Sequence, residues 1–350
     1  MSQYNNTNTF HPQPTNTTIT SAPLTRGIRS ISNCPDVIEA LVQVLAHLDP
    51  VVEQYLFKQQ HDDHQIKSDE RSELGVAFDR VCRSVWSLDQ GSSEPVDGSA
   101  LGGLFPMESG ISLDFVEALN IVVDACRGNF NFCKGMTSNW IRSDDCPICG
   151  CKSASERKEE FCSIKVPSNQ WKEFEKSGVL NLKEVETIEG YHCDVCSFSK
   201  PAEISRSISQ APQILILQMD RFCFDYETFN VVKKNDFYKV YLNQQLKLLM
   251  ENNSLESYEL VAVVNHYGLQ TSGSYGGFFL NPTNRRWYKV ACPNQVPTLV
   301  EDFSTINNVS NYVYFFKKAA EKKSWQSTAL SSQSVSDISF SFTNEEDCEM

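Results

Sequence analysis

The sequence predicts an α+β fold with helices first and strands after, and three observations carry that expectation. Apolar residues recur at helical spacing through the first third of the chain. From Cys146 onward the texture changes to short runs rich in aromatic and β-branched residues, separated by turn signals. Two Cys-x-x-Cys pairs stand in this second part, Cys146 and Cys149 in DDCPICGC and Cys193 and Cys196 in YHCDVCSF. Each such turn sets two thiolates about one coordination shell apart, and two turns complete a tetrahedral four-thiolate site for structural zinc. The segment between the pairs is longer than the ~15–20 residues of a compact zinc ribbon, so the metal would clip distant strand pairs together. Cys151 can take the place of Cys149 in that shell, and spacing does not choose between them.

At 350 residues the chain has room for one large domain or two ordinary ones. A formal net charge of -13 argues against nucleic acid, whose phosphates draw on clustered Lys and Arg, and favours a basic partner. No run of about 18 apolar residues is present, and the start MSQYNNTNTF lacks the basic and apolar regions of a secretory signal. A cytoplasmic or nuclear, reducing location follows, with no membrane partner. Thirteen cysteines, an odd count scattered over a long chain, suit free thiols plus one metal site better than a disulfide framework.

Residues 1–23 are rich in Asn, Thr, Pro and Ser and cannot bury enough surface to offset their ordering entropy, so a disordered tail is expected. A helix begins near Pro35 and Asp36, with Val37, Ala40, Leu41, Val44, Leu45 and Leu48 forming one core face. His61 and His64 beside Asp62 and Asp63 read as a solvated stretch in preference to a metal site. Residues 74–88 repeat the helical pattern through Phe78, Val81, Cys82, Val85 and Trp86, and QGSSEPVDGSALGG is a loop. SLDFVEALNIVVDAC is a third helix with Ser112 as its cap. FCSIKVP, YHCDVC, AEISRSI, QILILQM, FYKVYL, YELVAVVNHYG, YGGFFLN, RRWYKVA and YVYFFKK read as mostly antiparallel strands. Residues 319–350 form a Ser-rich acidic tail in which ISFSF offers a short strand to a partner.

In this order the features resemble the ubiquitin-specific proteases, papain-like thiol hydrolases that remove ubiquitin from proteins. The resemblance covers residues 26 to 318. CPIC and CDVC match the family's zinc knuckle; Ala202, Ile208, Pro212, ILIL and Arg221-Phe222 match the segment after it. GISLDFVEAL matches a helical motif through Gly110, Asp114, Glu117 and Leu119, and the last block matches through His266, Gly268, Gly273, Tyr275 and Trp287. The resemblance implies the family's hand: a helical thumb over about 24–140, then an antiparallel palm and zinc-clipped fingers over about 141–318. It also assigns binding of the basic ubiquitin tail to Asp114, Glu117 and Tyr275; the two acids, three apart, would share a helix face and receive Arg through charge-assisted hydrogen bonds.

The reactive positions of the family do not match. Aligned without gaps, GIRSISNCPDVIEAL puts Pro35 at the nucleophile, with Cys34 one residue early, and Ser30 at the oxyanion-binding Asn. Ser274 stands at the general base and Ala291 at the residue that orients it, followed by Cys292. Thiol hydrolysis needs all four functions. The expectation is therefore a pseudoprotease that binds ubiquitin or a ubiquitin-like protein, or serves as the scaffold of a multiprotein complex. The alternative is an active deubiquitinase in which a displaced Cys34, lowered in pKa by a helix start, works with His266.

Overall fold

A computed structural model describes residues 25–29, 31, 35–53, 72–86, 94–105, 113–126, 135–143, 146–151, 158–234, 245–269, 273–290 and 295–320. The first part pairs β1 (Ile28–Arg29) in parallel with β2 (Val96–Asp97) and is otherwise helical. Its helices are α1 (Pro35–Ala46), α2 (Asp49–Val52), α3 (Glu73–Trp86), α4 (Ser99–Gly102) and α5 (Phe115–Cys126). Pro35 opens α1, where a missing N–H is harmless. The reading of α1 as a helix with one core face needs correction, because even its polar Glu39 and Gln43 are buried. Gln43 Nε2 donates to Arg26 O at 2.7 Å, so the chain before the helix covers the side that periodicity assigned to solvent. At the start of α5 the Asp114 carboxylate caps the Val116 N–H at 2.8 Å. The expected cap, Ser112, lies outside the described residues, as do the expected strand FYKVYL, the segment ISFSF, and His61 and His64.

The second part supplies β3 (Ser138–Ser143), β4 (Lys158–Phe161), β5 (Ser163–Val166), helix α6 (Ser168–Ser177), β6 (Val179–Leu180), β7 (Glu184–Ile188) and β8 (Ala202–Gln210). There follow β9 (Ile214–Met219), β10 (Phe222–Asp225), β11 (Asn230–Lys233), β12 (Leu246–Leu249) and β13 (Leu255–Tyr267). The last are β14 (Ser274–Asn281), β15 (Arg286–Val290), β16 (Thr298–Leu299) and β17 (Asn311–Lys318). Helix α6 was not anticipated among the strands. It carries only Trp171 and Phe174 as buried anchors, one turn apart, and stops at Gly178, whose left-handed φ of 69° lets its N–H reach Phe174 O.

Among the described residues β4-β3-β8-β7 form an antiparallel finger sheet, and nine strands form the palm in the order β16-β15-β14-β13-β17-β9-β5, with β12 and β6 alongside. The apolar runs ILILQM and YVYFF are continuous because both faces of the palm are covered. Ile214, Ile216, Val313 and Phe315 pack toward the thumb helices. Their neighbours Leu215, Leu217, Tyr314 and Phe316 pack on the other side against Trp171 and Phe174 of α6. Each large side chain so buried contributes about 1.5–3 kcal/mol.

The thumb docks on β14 through His47, whose ring stacks on Phe279 with centroids 3.9 Å apart. Its Nδ1 bonds Gln43 O at 2.7 Å, and Trp86 Nε1 donates to Ala46 O beside it. An ion pair between Asp49 and Lys317 ties α2 to β17. Complete burial pushes the His47 pKa down to about 4, against the opposing pull of the Gln43 carbonyl. An unfolded histidine titrates near 6.5, so between pH ~6.5 and ~4 the unfolded chain binds the extra proton and stability falls with pH. Urea melts across this window are expected to lose stability on the order of 3 kcal/mol from this group, and His47→Phe, which keeps the stacking, to flatten that part of the slope.

Candidate functional site

Where the thumb meets the palm, one carboxylate gathers three donors. Asp114 Oδ1 holds the Val116 N–H, and Oδ2 accepts from Tyr275 Oη of β14 at 2.9 Å and from Tyr312 Oη of β17 at 3.0 Å. Gln218 Nε2 of β9 donates in turn to Tyr312 Oη at 2.6 Å. Burial first, and the Asp114 charge second, raise both phenol pKa values far out of the neutral range, so both remain donors. Close by, Asp36 in the first turn of α1 accepts the Tyr275 backbone N–H at 2.8 Å. The start of α1, the start of α5 and the start of β14 thus converge on one cleft.

Ser274 is the first residue of β14, exposed, and opposite Tyr267 in register. Glu117 is exposed on the first turn of α5, whereas Asp114 precedes the helix and turns its oxygens inward. The two acids therefore do not present one common solvent face. The backbone of Pro35 begins α1; Ser30, Cys34, Ala291 and Cys292 lie outside the described residues.

His266 pairs with Tyr275 across the β13–β14 ladder and is 1% exposed. Lys233 Nζ lies 3.0 Å from its Nδ1 and donates also to His266 O at 2.6 Å and Gly268 O at 3.3 Å. The rings of Phe222, Tyr275 and Tyr312 stand edge-on around it, at 5.1, 5.0 and 5.8 Å. Gly273 passes directly over the ring, where a Cβ would fall 2.1 Å from Nε2. Burial, then the Lys233 charge, push the His266 pKa down to about 4. The ring is a neutral acceptor for Lys233, closed in on its other side. The other described imidazoles are His47 in the thumb–palm core and His192 beside the finger cysteines. Sequence reading missed Lys233, Tyr312 and Asp36; the aromatic alternation of NYVYFF marks Tyr312 only as strand, and nothing local marks Lys233.

In the fingers the structure brings Cys146, Cys149, Cys193 and Cys196 together, all four sulfurs within 4.8 Å of one another. Cys146 Sγ lies 3.6 Å from Cys196 Sγ, and Cys149 Sγ 3.7 Å from Cys193 Sγ. A tetrahedron with Zn–S of ~2.3 Å has edges of ~3.8 Å, so the sulfurs fit zinc. The two knuckles are built alike. Gly150 N donates to Cys146 O with φ +65°, and Ser197 N donates to Cys193 O with φ 57°. Cys151 contributes its carbonyl to the Cys146 N–H at 3.0 Å while its thiol stands outside the cluster, which settles the fourth ligand as Cys149. The Cys149 N–H leads the effects that lower the Cys146 pKa to about 6. The Cys151 N–H pulls Cys149 down as well, but desolvation and the neighbouring thiols outweigh it and push that group up to about 12. Four thiolates this close need a divalent cation to ionise together.

The family profile described as Ubiquitin carboxyl-terminal hydrolase matches residues 33–316. The Drosophila melanogaster protein described as probable ubiquitin carboxyl-terminal hydrolase FAF is 30% identical over 129 residues, covering 30% of this chain and 5% of its own length. Ubiquitin carboxyl-terminal hydrolase 9X of Mus musculus is 24% identical over 180 residues, covering 41% of this chain and 7% of its own. The chain thus spans a small fraction of these relatives. Among solved structures, the SAGA DUB module of Ubp8, Sgf11, Sus1 and Sgf73 bound to monoubiquitin superposes with a TM-score of 0.65 at 16% identity, over 85% of this chain and 70% of that one. A yeast SAGA DUB module with a substituted Sgf73 gives 0.61 at 17% identity, over 85% and 69%. At these identities the likeness is one of fold.

The metal assignment has a direct check. Purified protein is expected to carry one zinc per chain by elemental analysis. Cys149→Ser should lose it and Cys151→Ser should keep it. Chelation should abolish the cooperative melting of the finger region, followed by Trp140 fluorescence. Cooperative melting that survives complete metal removal would count against a four-thiolate site.

Proposed function

The chain belongs to the ubiquitin carboxyl-terminal hydrolase family, and from that premise we propose that it is a noncatalytic member that holds ubiquitin or a ubiquitin-like protein, in isolation or within a multiprotein complex. The observation that carries this reading is the exposed hydroxyl of Ser274 at the cleft position where the resemblance puts the general base. A serine hydroxyl does not take a proton from a thiol near pH 7. With Pro35, Ser30 and Ala291 at the nucleophile, oxyanion and orienting positions, no step of acyl transfer has its group.

What supports binding is the cleft that remains. Tyr275 and Tyr312 are fixed by Asp114, and Glu117, three residues further along the chain, stands exposed as a carboxylate for a basic tail. The Ubp8 module of the same fold is described with monoubiquitin and with ubiquitin aldehyde, and the proposal extends that class of partner to this chain. The displaced Cys34 and His266 alternative gains nothing from the geometry of His266, whose Nδ1 is engaged by Lys233 and whose Nε2 faces Gly273.

A ubiquitin probe with a thiol-reactive C-terminus is expected to leave the pure protein unlabelled, and ubiquitin itself to bind measurably by calorimetry. Glu117→Lys should weaken that binding by about tenfold, more at low salt than at high. Asp114→Ala should also lower stability by about 1–3 kcal/mol, because it strands two buried phenols. Turnover of a ubiquitin conjugate by the pure protein would overturn the noncatalytic reading; absence of any ubiquitin binding would leave only the scaffold.

A further inference from the structure

We propose that the outer edge of β5 is a strand-addition site for an extended acidic peptide of a partner protein. It lies at the end of the palm sheet, beyond β17 and β9, and does not rest on the ubiquitin reading. β5 pairs with β9 in parallel, from Ser163↔Ile216 to Val166↔Met219. Val166 O accepts the Asp220 N–H, and successive residues of a parallel strand direct their backbone groups to alternate sides. Ile164 and Val166 therefore bond toward β9. Ser163 and Lys165 direct N–H and C=O outward, where no strand meets them among the described residues. Such a row is a template for another strand.

This edge opens on a cavity of about 250 Å³ between the palm and the fingers, lined by Trp140, Ser163, Ile164, Lys165, Glu184 and Arg206. Trp140 and Ile164 give it an apolar floor, both nearly fully buried. The Arg206 guanidinium lies 6.0 Å over the Trp140 ring and is bonded to Glu184 at 3.1 Å. The Glu184 side chain is 55% exposed, so an incoming carboxylate can take its place on Arg206 at little cost. Lys165 pairs with Asp220 at 2.9 Å, and Asp220 also holds Lys234 at 3.0 Å, so in a chain of net charge -13 this lining with its paired neighbours keeps three cations to two carboxylates. The occupant that fits is an extended segment alternating apolar residues, for the Trp140 and Ile164 floor, with Asp or Glu, for Arg206. Its main chain would bond Ser163 and Lys165. A basic segment meets the wrong sign.

The test uses the full chain with zinc bound and a fluorescein-labelled ten-residue peptide of alternating Val and Glu, read by polarisation. Saturable binding is expected. Lys165→Pro should weaken it about tenfold beyond Lys165→Gln, which removes only the charge and the pairing with Asp220; the difference is the one outward N–H, and far-UV CD should stay unchanged, since proline is tolerated where the N–H points off an edge. A peptide N-methylated at alternate amides, which leaves the protein untouched, should lose binding to the same degree. Arg206→Gln should weaken it about fivefold and flatten its salt dependence. No binding of the Val/Glu peptide, equal binding by Lys165→Pro and Lys165→Gln together with undiminished binding of the N-methylated peptide, or equally tight binding of a Val/Lys peptide would each overturn the proposal.

Discussion

The cleft depends on a single carboxylate. Asp114 ends the approach to α5, caps its first turn, and accepts phenolic hydrogens from two palm strands. A carboxylate has about four acceptor sites, and three are occupied here, by donors from α5, β14 and β17. Because the two tyrosines come from β14 and β17, which lie on either side of β13, the bond set also fixes the width of the sheet where His266 emerges. The thumb is therefore attached to the palm at two levels: by stacked rings and apolar packing around His47 and Phe279, and by directional bonds at Asp114 and Asp36. The first level supplies the larger energy and the second supplies the geometry.

The fingers are held on different terms. Their sheet has an exposed edge strand, β7, whose residues from Glu184 to Thr187 face water, and Trp140 and Ile208 are its main links to the palm core. So little apolar burial does not by itself fix the far end of two long strands. The four sulfurs do so covalently once a cation joins them, and the matched knuckles at residues 146–151 and 193–198 show how short the backbone needs to be around each pair. Metal binding and finger folding are in this sense one event.

Much of this was legible in the sequence, and the reasons for the exceptions are physical. Helices α1, α3 and α5 announce themselves by periodicity, and the palm strands by aromatic and β-branched runs, because each buries a face large enough to impose a pattern. Helix α6 does not: two aromatics one turn apart suffice to anchor it, and the remaining residues face water. The all-round burial of α1 depends on where residue 26 returns, which no local window contains. The same holds for the cleft. Asp114 and its two phenols are 161 and 198 residues apart, and Lys233 reaches His266 from a separate hairpin. Motif matching found Asp114, Tyr275 and His266 as positions, yet only the three-dimensional arrangement says that the carboxylate is a joint and that the imidazole is closed in.

The position of Ser274 at the lip of β14 decides how freely that residue can be exchanged. Its side chain belongs to neither core, so exchanging the residue there perturbs folding by no more than a few tenths of a kcal/mol, as at other open surface sites. Tyr275, one residue further along, is enclosed and bonded through both its N–H and its phenol, so a change there disturbs the carboxylates of Asp36 and Asp114 together. Tolerance and constraint thus alternate from one residue to the next at the start of β14, as the pleat of a strand dictates.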